Sequence, residues 1–388
     1  MSRWGTTLVL CFVVVLHNAQ RLVPVSLTTE LCQRLSVNYL GAGNLFSIYL
    51  FGTAMANIPV GIFADRYGSK GLIITGTILS LALSVVFALT RTYWIALPVR
   101  FGLGVASSML FVPSLRYVVS AFPKESRGSV MGFIQVGTGA GMVISLSVLP
   151  ALAGRFDLTR AFLVLPIMAV CVLLIIVIWL HPVRPEAKPV VWKQIGSLSQ
   201  DRAFWNMSAF HFLTMLTVYA VLGWLPTYLR VDFGYSATQA GIISSLVNVM
   251  LAVSSPLTGY ISDRAGSRTP IMVFGSLLSV ACFAIFIFSG NNVLIIISIL
   301  VLGLSMALTI PLAQVLVGEM FSGIGSGLAV AATNTAGRLA ASIPGAVGGY
   351  LLQTTGTFTA IWGLALVFGA ARVPFLLAVG ENRIPTKK

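Results

Sequence analysis

Five arginines lie inside long apolar stretches of this sequence, where charged side chains are unusual: Arg21, Arg100, Arg116, Arg338 and Arg372. A charge in such a stretch costs several kcal/mol unless a partner or a polar cavity compensates it. Acidic residues are scarce there, since Glu319 is the only one that we place within a stretch. A guanidinium binds a carboxylate or phosphate through two parallel hydrogen bonds, so an arginine without an acidic partner predicts a bound anion.

Arg21 and Arg338 are the strongest candidates for anion binding, because small or polar residues surround each of them. Asn18 and Gln20 precede Arg21, and Asn334 lies one helical turn before Arg338. The alternative for both arginines is a structural hydrogen bond to helix carbonyl groups. Arg100 is equally compatible with a role in packing or gating and with a direct functional role. Arg116 is equally compatible with a gating or structural role and with a contact to the substrate.

Proton coupling needs a side chain that titrates, and three candidates lie in the apolar stretches: His17, His211 and Glu319. Histidine changes its charge near neutral pH. The alternative for each histidine is a structural hydrogen bond, and Glu319 lies near the end of its stretch. The sequence shows no cluster typical of a metal site and no paired nucleophile and base, so we predict no cofactor, metal or enzyme activity.

A charged turn occurs twice in the chain. Its first copy contains Gly61, Asp65, Arg66, Gly68 and Lys70, and its second contains Gly259, Asp263, Arg264, Gly266 and Arg268, each 198 positions later. A turn that is duplicated at half the chain length indicates two homologous halves. We therefore predict a first half over 1–180, a linker over 181–203 and a second half over 204–388.

The composition is that of a membrane protein. Of 388 residues, 57% are hydrophobic and 9% are charged, whereas a soluble globule has about 25% charged residues. Apolar runs of about 20 residues match membrane-spanning helices, so we predict an all-α, multi-pass protein of about 12 helices. The net charge of +14 does not indicate nucleic-acid binding, because the basic residues lie in loops.

The distribution of basic residues predicts the topology. Most loop arginines and lysines lie on the side of Arg3, and the other side holds Arg34, Arg91, Arg155, Arg160 and Arg230. The positive-inside rule then places both termini in the cytoplasm, and we expect the inner membrane of a bacterium. The four cysteines show no spacing of a disulfide framework or a thiolate metal site.

The apolar runs and the turn residues between them define the predicted helices. Helices 1 to 6 are expected over 6–27, 40–64, 72–89, 94–122, 129–152 and 159–180. Helices 7 to 12 are expected over 204–229, 237–262, 270–288, 292–321, 327–352 and 358–379.

The two charged turns resemble the signature of the major facilitator superfamily, and Arg100 with Gly104 resembles its helix 4 signature, Arg-x-x-x-Gly. The resemblance implies two pseudo-symmetric six-helix halves, with helices 1, 4, 7 and 10 around a central cavity and helices 2, 5, 8 and 11 beside them. Arg372, on the peripheral helix 12, is then expected to snorkel to the membrane surface. The expected substrate contacts are Asn18, Gln20, Arg21, Tyr49, Tyr219, Trp224, Asn248, Gln314, Asn334 and Arg338.

The resemblance also implies that the turns form a gate on the cytoplasmic side. Asp65 is expected to face the positive N-terminal end of helix 11, and Asp263 that of helix 5. The expected gating set also contains Arg66, Lys70, Arg100, Arg116, Glu125, Arg127, Arg264 and Arg268. The alternative is that the turns only fix loop geometry and topology.

A narrower resemblance concerns 223–229 and 234–241, which are similar to the organic-anion symporters of the sialin, hexuronate and galactonate group and to cyanate-permease-like proteins. In the organic-anion group, a helix 1 Asp-Arg pair couples protons and binds the anion. Gln20 and Arg21 occupy those positions here. The anion site is therefore expected, whereas proton coupling by this residue pair is in doubt.

We expect a secondary transporter that moves a small organic anion by alternating access, as a monomer in the lipid bilayer, with a proton or sodium ion as the candidate coupling ion. The first alternative is efflux of a drug or an amphipathic metabolite. Helix 5 lacks the Gly-Pro signature of drug antiporters, and its Gly137, Gly139 and Gly141 suit close helix packing instead. The second alternative is a receptor or sensor with the same fold and no transport.

Overall fold

The computed structural model describes residues 3–183, 198–321 and 326–379, and these residues form helices and connecting turns, without strands. The first helices are α1 (Arg3–Arg21), α2 (Val23–Ser26), α3 (Thr28–Leu35), α4 (Tyr39–Tyr67), α5 (Ser69–Leu89), α6 (Tyr93–Ala121), α7 (Lys124–Val143), α8 (Leu149–Arg155) and α9 (Leu158–Trp179). A π-helical turn, Ile144–Val148, joins α7 to α8. The later helices are α10 (Arg202–Val231), α11 (Ala237–Ala265), α12 (Thr269–Phe288), α13 (Asn292–Met320), α14 (Ser326–Ala341), α15 (Ile343–Thr355) and α16 (Thr359–Leu377).

Within the described residues, ten helical stretches are long and apolar enough to cross a membrane, by length and composition. They coincide with predicted helices 2 to 10 and 12 to within a few residues at each end. Predicted helices 1 and 11 are each divided, the first into α1, α2 and α3 and the second into α14 and α15. The all-helical class is confirmed, and the number of 12 spans stays a prediction.

Proline explains the break between α1 and α2 and the break between α14 and α15. Pro24 and Pro344 lack the backbone N–H that would donate to the carbonyl four residues earlier, and each lies in the first turn of the helix after the break. Prolines inside α4, α6 and α9 leave those helices continuous, which membrane helices tolerate when neighbouring groups satisfy the freed carbonyl. The break before Pro24 makes Arg21 the last residue of α1.

The chain divides into two compact units. Unit 1 contains Met1–Lys188 and Pro226–Ile242, and unit 2 contains Pro189–Leu225 and Ile243–Lys388. The end of α10 and the start of α11 therefore group with the first part of the chain. Most of the predicted linker, 184–197, lies outside the described residues, so the predicted domain bounds stay a prediction.

Each unit has its own apolar core. The core of unit 1 is built from α1, α5, α6, α7 and α9, and that of unit 2 from α10, α12, α13, α14 and α16. Close packing in unit 1 depends on Gly137 and Gly141 of α7, which lie against the backbone of α1; a Cβ on Gly137 would lie 2.8 Å from the carbonyl oxygen of Cys11. The predicted packing role of these two glycines is confirmed, whereas Gly139 faces open space.

Candidate functional site

Arg100 of α6 closes the break after α1. Its side chain is 1% exposed, and Nη1 donates a 2.9 Å hydrogen bond to the carbonyl oxygen of Gln20, the residue four positions before Pro24. Nη2 donates to the carbonyl of Arg21 (3.2 Å), and Nε donates to the carbonyl of Leu45 on α4 (3.2 Å). Arg100 thus supplies the donors that the backbone lacks where α1 ends. These contacts give it a structural role.

A buried polar network lies next to Arg100. The Arg100 guanidinium stands 4.4 Å from the centre of the Tyr49 ring, a distance typical of a cation–π contact. The Tyr49 hydroxyl donates to Ser107 Oγ at 2.6 Å, and Ser107 Oγ also bonds Nδ1 of His17. The His17 ring stacks on Phe111. Tyr49 has no exposed surface, so its predicted substrate contact has no accessible atom in this structure.

Arg21 differs from Arg100 in having an unpaired guanidinium. Within the described part of the chain, that guanidinium has no hydrogen bond, ion pair or ring contact, and its buried Nε lacks a partner. The side chain as a whole is partly exposed. Asn18, one turn earlier on the same helix face, donates from Nδ2 to the carbonyl of Val14 (3.0 Å), while its buried Oδ1 has no partner. Arg21 and Asn18 therefore keep unused polar atoms on one face of α1.

Gln20 points toward another helix. Its Nε2 donates to Ser80 Oγ at 2.6 Å and to Ser84 Oγ at 3.0 Å, and the Ser80 hydroxyl donates back to Gln20 Oε1 at 2.9 Å. Both ends of the amide are satisfied by α5. Gln20 is 0% exposed, so the structure brings it to a helix contact and away from the unused atoms of Arg21.

Unit 2 brings together a second set of predicted site residues. Arg338 of α14 is partly exposed, and the preceding Gly337 lies against the His211 ring of α10, where a Cβ would be 2.5 Å from the ring Cδ2. Asn334, one turn before Arg338, accepts a 3.4 Å hydrogen bond from Nε2 of Gln314 on α13. Three helices of unit 2 thus bring polar side chains to the neighbourhood of Arg338.

The other predicted substrate-contact residues in unit 2 differ in their burial and in their hydrogen-bond partners. Asn248 has a buried Nδ2 without a partner, and Tyr219 is partly exposed. Trp224 is 2% exposed, and its Nε1 donates a 3.0 Å hydrogen bond to the carbonyl of Pro344. Its ring packs on Gly348, where a side chain would collide with it. Trp224 therefore stabilises the start of α15, after the break in predicted helix 11.

Arg372 does not snorkel to the membrane surface, and that expectation is wrong. Its side chain is 2% exposed, and Nη2 donates a 2.7 Å hydrogen bond to Ser279 on α12. Nη1 lies 3.4 Å from the hydroxyl of Thr214 and 3.5 Å from that of Thr217, both on α10. The position of Arg372 on its turn of α16 directs the side chain into unit 2. There the hydroxyl oxygens accept the hydrogen bonds that water would accept at the surface.

The second charged turn forms an ion-pair cluster with the end of α13. Arg268 donates from Nε and Nη2 to the two carboxylate oxygens of Glu319, at 2.9 and 2.7 Å, and Nη2 also lies 3.1 Å from Asp263. The hydrogen bond to Glu319 raises the pKa of Arg268 above its ordinary value. Glu319, a predicted coupling residue, is therefore bound to Arg268 within unit 2. The predicted contact of Asp263 with helix 5 stays a prediction.

Arg127 caps the C-terminal end of α6. Its Nε donates to the carbonyl of Phe122 (2.9 Å) and its Nη2 to the carbonyl of Val119 (2.6 Å). Basic side chains at this position satisfy the free carbonyls of the last turn. The contacts provide a structural reason for the arginine at the start of α7.

The remaining gating candidates keep their predicted roles as predictions. Arg66, Arg116 and Arg264 are exposed, and Lys70 is partly exposed. The side chains of Asp65 and Glu125 lie outside the described ones.

An ion pair that was not predicted from the sequence joins α3 to the end of α10 within unit 1. Arg230 donates two parallel hydrogen bonds to Glu30, from Nη1 at 2.9 Å and from Nη2 at 2.8 Å. The side chains are 17% and 30% exposed, respectively. Beside them, the Thr227 hydroxyl donates to the hydroxyl of Thr28 at 3.1 Å. Glu30 was expected in a loop, although its position on the same predicted side as Arg230 was a usable signal.

The fold and these contacts define a class, a multi-pass helical membrane protein with arginines held among its spans. The family model of the Major Facilitator Superfamily matches residues 9–344 and 207–388. The chain belongs to this superfamily.

Three similar proteins are named as transporters. Over 439 residues the chain is 25% identical to the probable galactarate/D-glucarate transporter of Bacillus subtilis, covering 100% of this chain and 94% of that protein. The hexuronate transporter of the same organism is 24% identical over 366 residues, covering 87% and 84%. The probable nitrate/nitrite transporter of Mycobacterium tuberculosis is 26% identical over 265 residues, covering 66% of each chain.

Among solved structures, the chain resembles a bacterial homologue of the human lysosomal transporter Spinster, determined in an inward-facing and occupied conformation. The TM-score is 0.82 at 14% sequence identity, over 100% of this chain and 99% of that chain. At this identity the likeness supports the fold alone.

Proposed function

We propose that this protein is a secondary transporter that carries a small organic anion by alternating access. The proposal includes 12 spans in two six-helix halves, both termini in the cytoplasm, the inner membrane of a bacterium and a monomer as the working unit. Membership of the superfamily supports transport, and the relatives named for galactarate, glucarate and hexuronate support an anionic substrate. The observation that carries the proposal is the unpaired guanidinium of Arg21.

A bound carboxylate satisfies Arg21 better than any group within the described residues. A guanidinium stays charged at all physiological pH values, and its charge within a span costs several kcal/mol without compensation. Arg100 and Arg372 meet this cost with backbone carbonyls and with hydroxyls, respectively. The terminal nitrogens of Arg21 remain available for a bidentate contact with a carboxylate.

Arg338 provides the second anion-binding group in this proposal. Asn334 and Gln314 lie near it in unit 2, and their amides can bond hydroxyl groups of a substrate as donors or acceptors. A substrate that carries a carboxylate beside hydroxyl groups would use Arg338 together with these amides. Sugar acids such as those named for the relatives have this chemistry.

We assign proton coupling to histidine. Gln20 replaces the carboxylate that the organic-anion group has in helix 1, and its amide is bonded to serines of α5. Glu319 is bound to Arg268. His17, one turn before Arg21, and His211, packed on Gly337, remain as the titratable side chains next to the proposed anion-binding groups.

Uptake into proteoliposomes tests the proposal. The wild type, Arg21→Ala and the exposed-arginine control Arg202→Ala are compared with labelled glucarate, glucuronate and nitrate. We expect sugar-acid uptake by the wild type and the control, and a loss of about 100-fold in Arg21→Ala, because charge-assisted bidentate binding is removed. Equal uptake by Arg21→Ala would contradict the site, and uptake of nitrate alone would contradict the organic substrate.

A further inference from the structure

We propose that unit 1 contains a second oxyanion site, separate from Arg21, in a groove at the end of α3. The groove has a volume of about 560 Å³ and is lined by Arg34, Arg91, Asp157, Leu158, Thr159 and Arg160. Its ligand is a phosphate or carboxylate group, supplied by an anionic phospholipid or by a soluble anion. We call it the Arg34 groove.

Three hydrogen bonds fix the side chain of Arg34, which lines the Arg34 groove. Its Nε donates to the carbonyl of Thr90 (3.0 Å), its Nη2 to the carbonyl of Ala88 (2.5 Å) and its Nη1 to the hydroxyl of Thr159 (3.0 Å). These bonds cap the end of α5 and tie α3 to α9. A guanidinium has five N–H donors, so donors remain for a ligand after these bonds are made.

The charges of the Arg34 groove do not cancel. Arg160 pairs with Asp157 at 3.1 Å, and Asp157 also caps α9 by accepting from the backbone N–H of Arg160. Arg91 is exposed and has no partner within the described residues. Burial lowers the pKa of Arg34, and the nearby charge of Arg91 lowers it further. The three guanidinium groups of Arg34, Arg91 and Arg160 therefore share the single carboxylate of Asp157 beside the positive N-terminal end of α9, and this excess of positive charge attracts an anion.

Aromatic side chains locate the Arg34 groove relative to the bilayer. Trp94, three residues after Arg91, is 76% exposed, and Phe156, next to Asp157, is 55% exposed. Exposed Trp residues such as Trp94 are typical of the level of the lipid headgroups. At that level an arginine pair can bind the phosphate of a lipid, and it is also open to anions from the aqueous phase.

Binding to the purified full-length protein tests the Arg34 groove. Arg91→Ala is the informative variant, because Arg91 is exposed and supports no other contact within the described residues. Arg155→Ala is the matched control, an exposed arginine at the same helix ends that does not line the groove. Bound phosphatidylglycerol and phosphatidylcholine are counted by native mass spectrometry, and inorganic phosphate and glycerol phosphate are tested as competitors.

We expect phosphatidylglycerol to bind the wild type and Arg155→Ala alike, and Arg91→Ala about tenfold more weakly, because one charge-assisted hydrogen-bonding group is removed. Phosphatidylcholine, whose phosphate is already neutralised, is expected to bind weakly to all three proteins. Phosphatidylglycerol binding that soluble phosphates do not displace supports a lipid ligand. Saturable binding of soluble phosphate that Arg91→Ala weakens supports a soluble ligand. Equal binding of every anion to the wild type and Arg91→Ala overturns the proposal.

Discussion

The Nη1 atom of Arg100 lies 2.9 Å from the carbonyl oxygen of Gln20, a carbonyl whose usual helical partner is missing because residue 24 is proline. The helix 4 arginine thus replaces a backbone donor of helix 1. The same guanidinium donates to the carbonyl of Arg21. Arg100 therefore positions the residue that is proposed to bind the substrate, without itself having to contact the substrate.

Arg100→Met is expected to lower the free energy of unfolding by about 3 kcal/mol, because two buried carbonyls at the end of α1 lose their donors. Methionine keeps most of the side-chain volume, so the change reports mainly on the hydrogen bonds. Unfolding of the purified protein in detergent measures it. An effect below about 1 kcal/mol would show that the carbonyls have other donors.

Arg372→Met is the matched substitution in unit 2, and we expect it to change the free energy of unfolding by less than about 1 kcal/mol. The hydroxyl hydrogens of Thr214, Thr217 and Ser279 already donate to the carbonyls of their own helices. Removing Arg372 therefore leaves no donor unsatisfied and removes a buried charge. The same unfolding assay applies, and a loss as large as that of Arg100→Met would refute this distinction.

The Glu30–Arg230 pair is expected to contribute a coupling energy of about 1–2 kcal/mol, because its bidentate geometry and partial burial strengthen it. A double-mutant cycle with Glu30→Gln and Arg230→Gln measures that energy from unfolding. The control cycle uses Asp157 and Arg160, whose side chains are 50% and 71% exposed, and we expect less than about 1 kcal/mol there. Equal coupling in the two cycles would mean that bidentate geometry adds nothing.

Glu319→Gln is expected to lower stability without changing the pH profile of transport. Pairing with Glu319 raises the pKa of Arg268 above its ordinary value, so the stabilisation from this cation is fully present below the ordinary pKa of arginine and is lost only as the pH rises through the raised value. The Arg268 guanidinium therefore neither gains nor loses a proton near neutral pH. Uptake between pH 5 and pH 8 is the measurement, and a flattened profile in Glu319→Gln would make Glu319 the coupling residue.

The sequence predicted ten of the long apolar helices of the described residues well, because membrane helices need long apolar runs, whatever their neighbours. It could not predict which prolines divide a helix. Pro24 and Pro344 do so, whereas Pro98 and Pro166 lie inside continuous helices, and neighbouring helices decide the difference.

The direction of individual side chains was the other feature that could not be predicted from the sequence. The position of Arg372 near the end of helix 12 suggested an exposed charge, but its helix phase directs it toward Ser279. The extension of helix 1 into α3 was also hidden, and with it the pairing of Glu30 with Arg230. Arg21 and Arg338 could be selected as candidates because a charge inside an apolar run is recognisable without knowledge of packing.

Direct binding of a sugar acid to the wild type and to Arg21→Gln is the measurement that tests the central claim most directly. Glutamine removes the charge and keeps polar atoms, and thermal unfolding without ligand verifies that both proteins fold alike. We predict a Kd at least about tenfold higher for Arg21→Gln, since a charge-assisted contact is lost. An unchanged Kd in a variant of wild-type stability would contradict the assignment of Arg21 as the anion-binding residue.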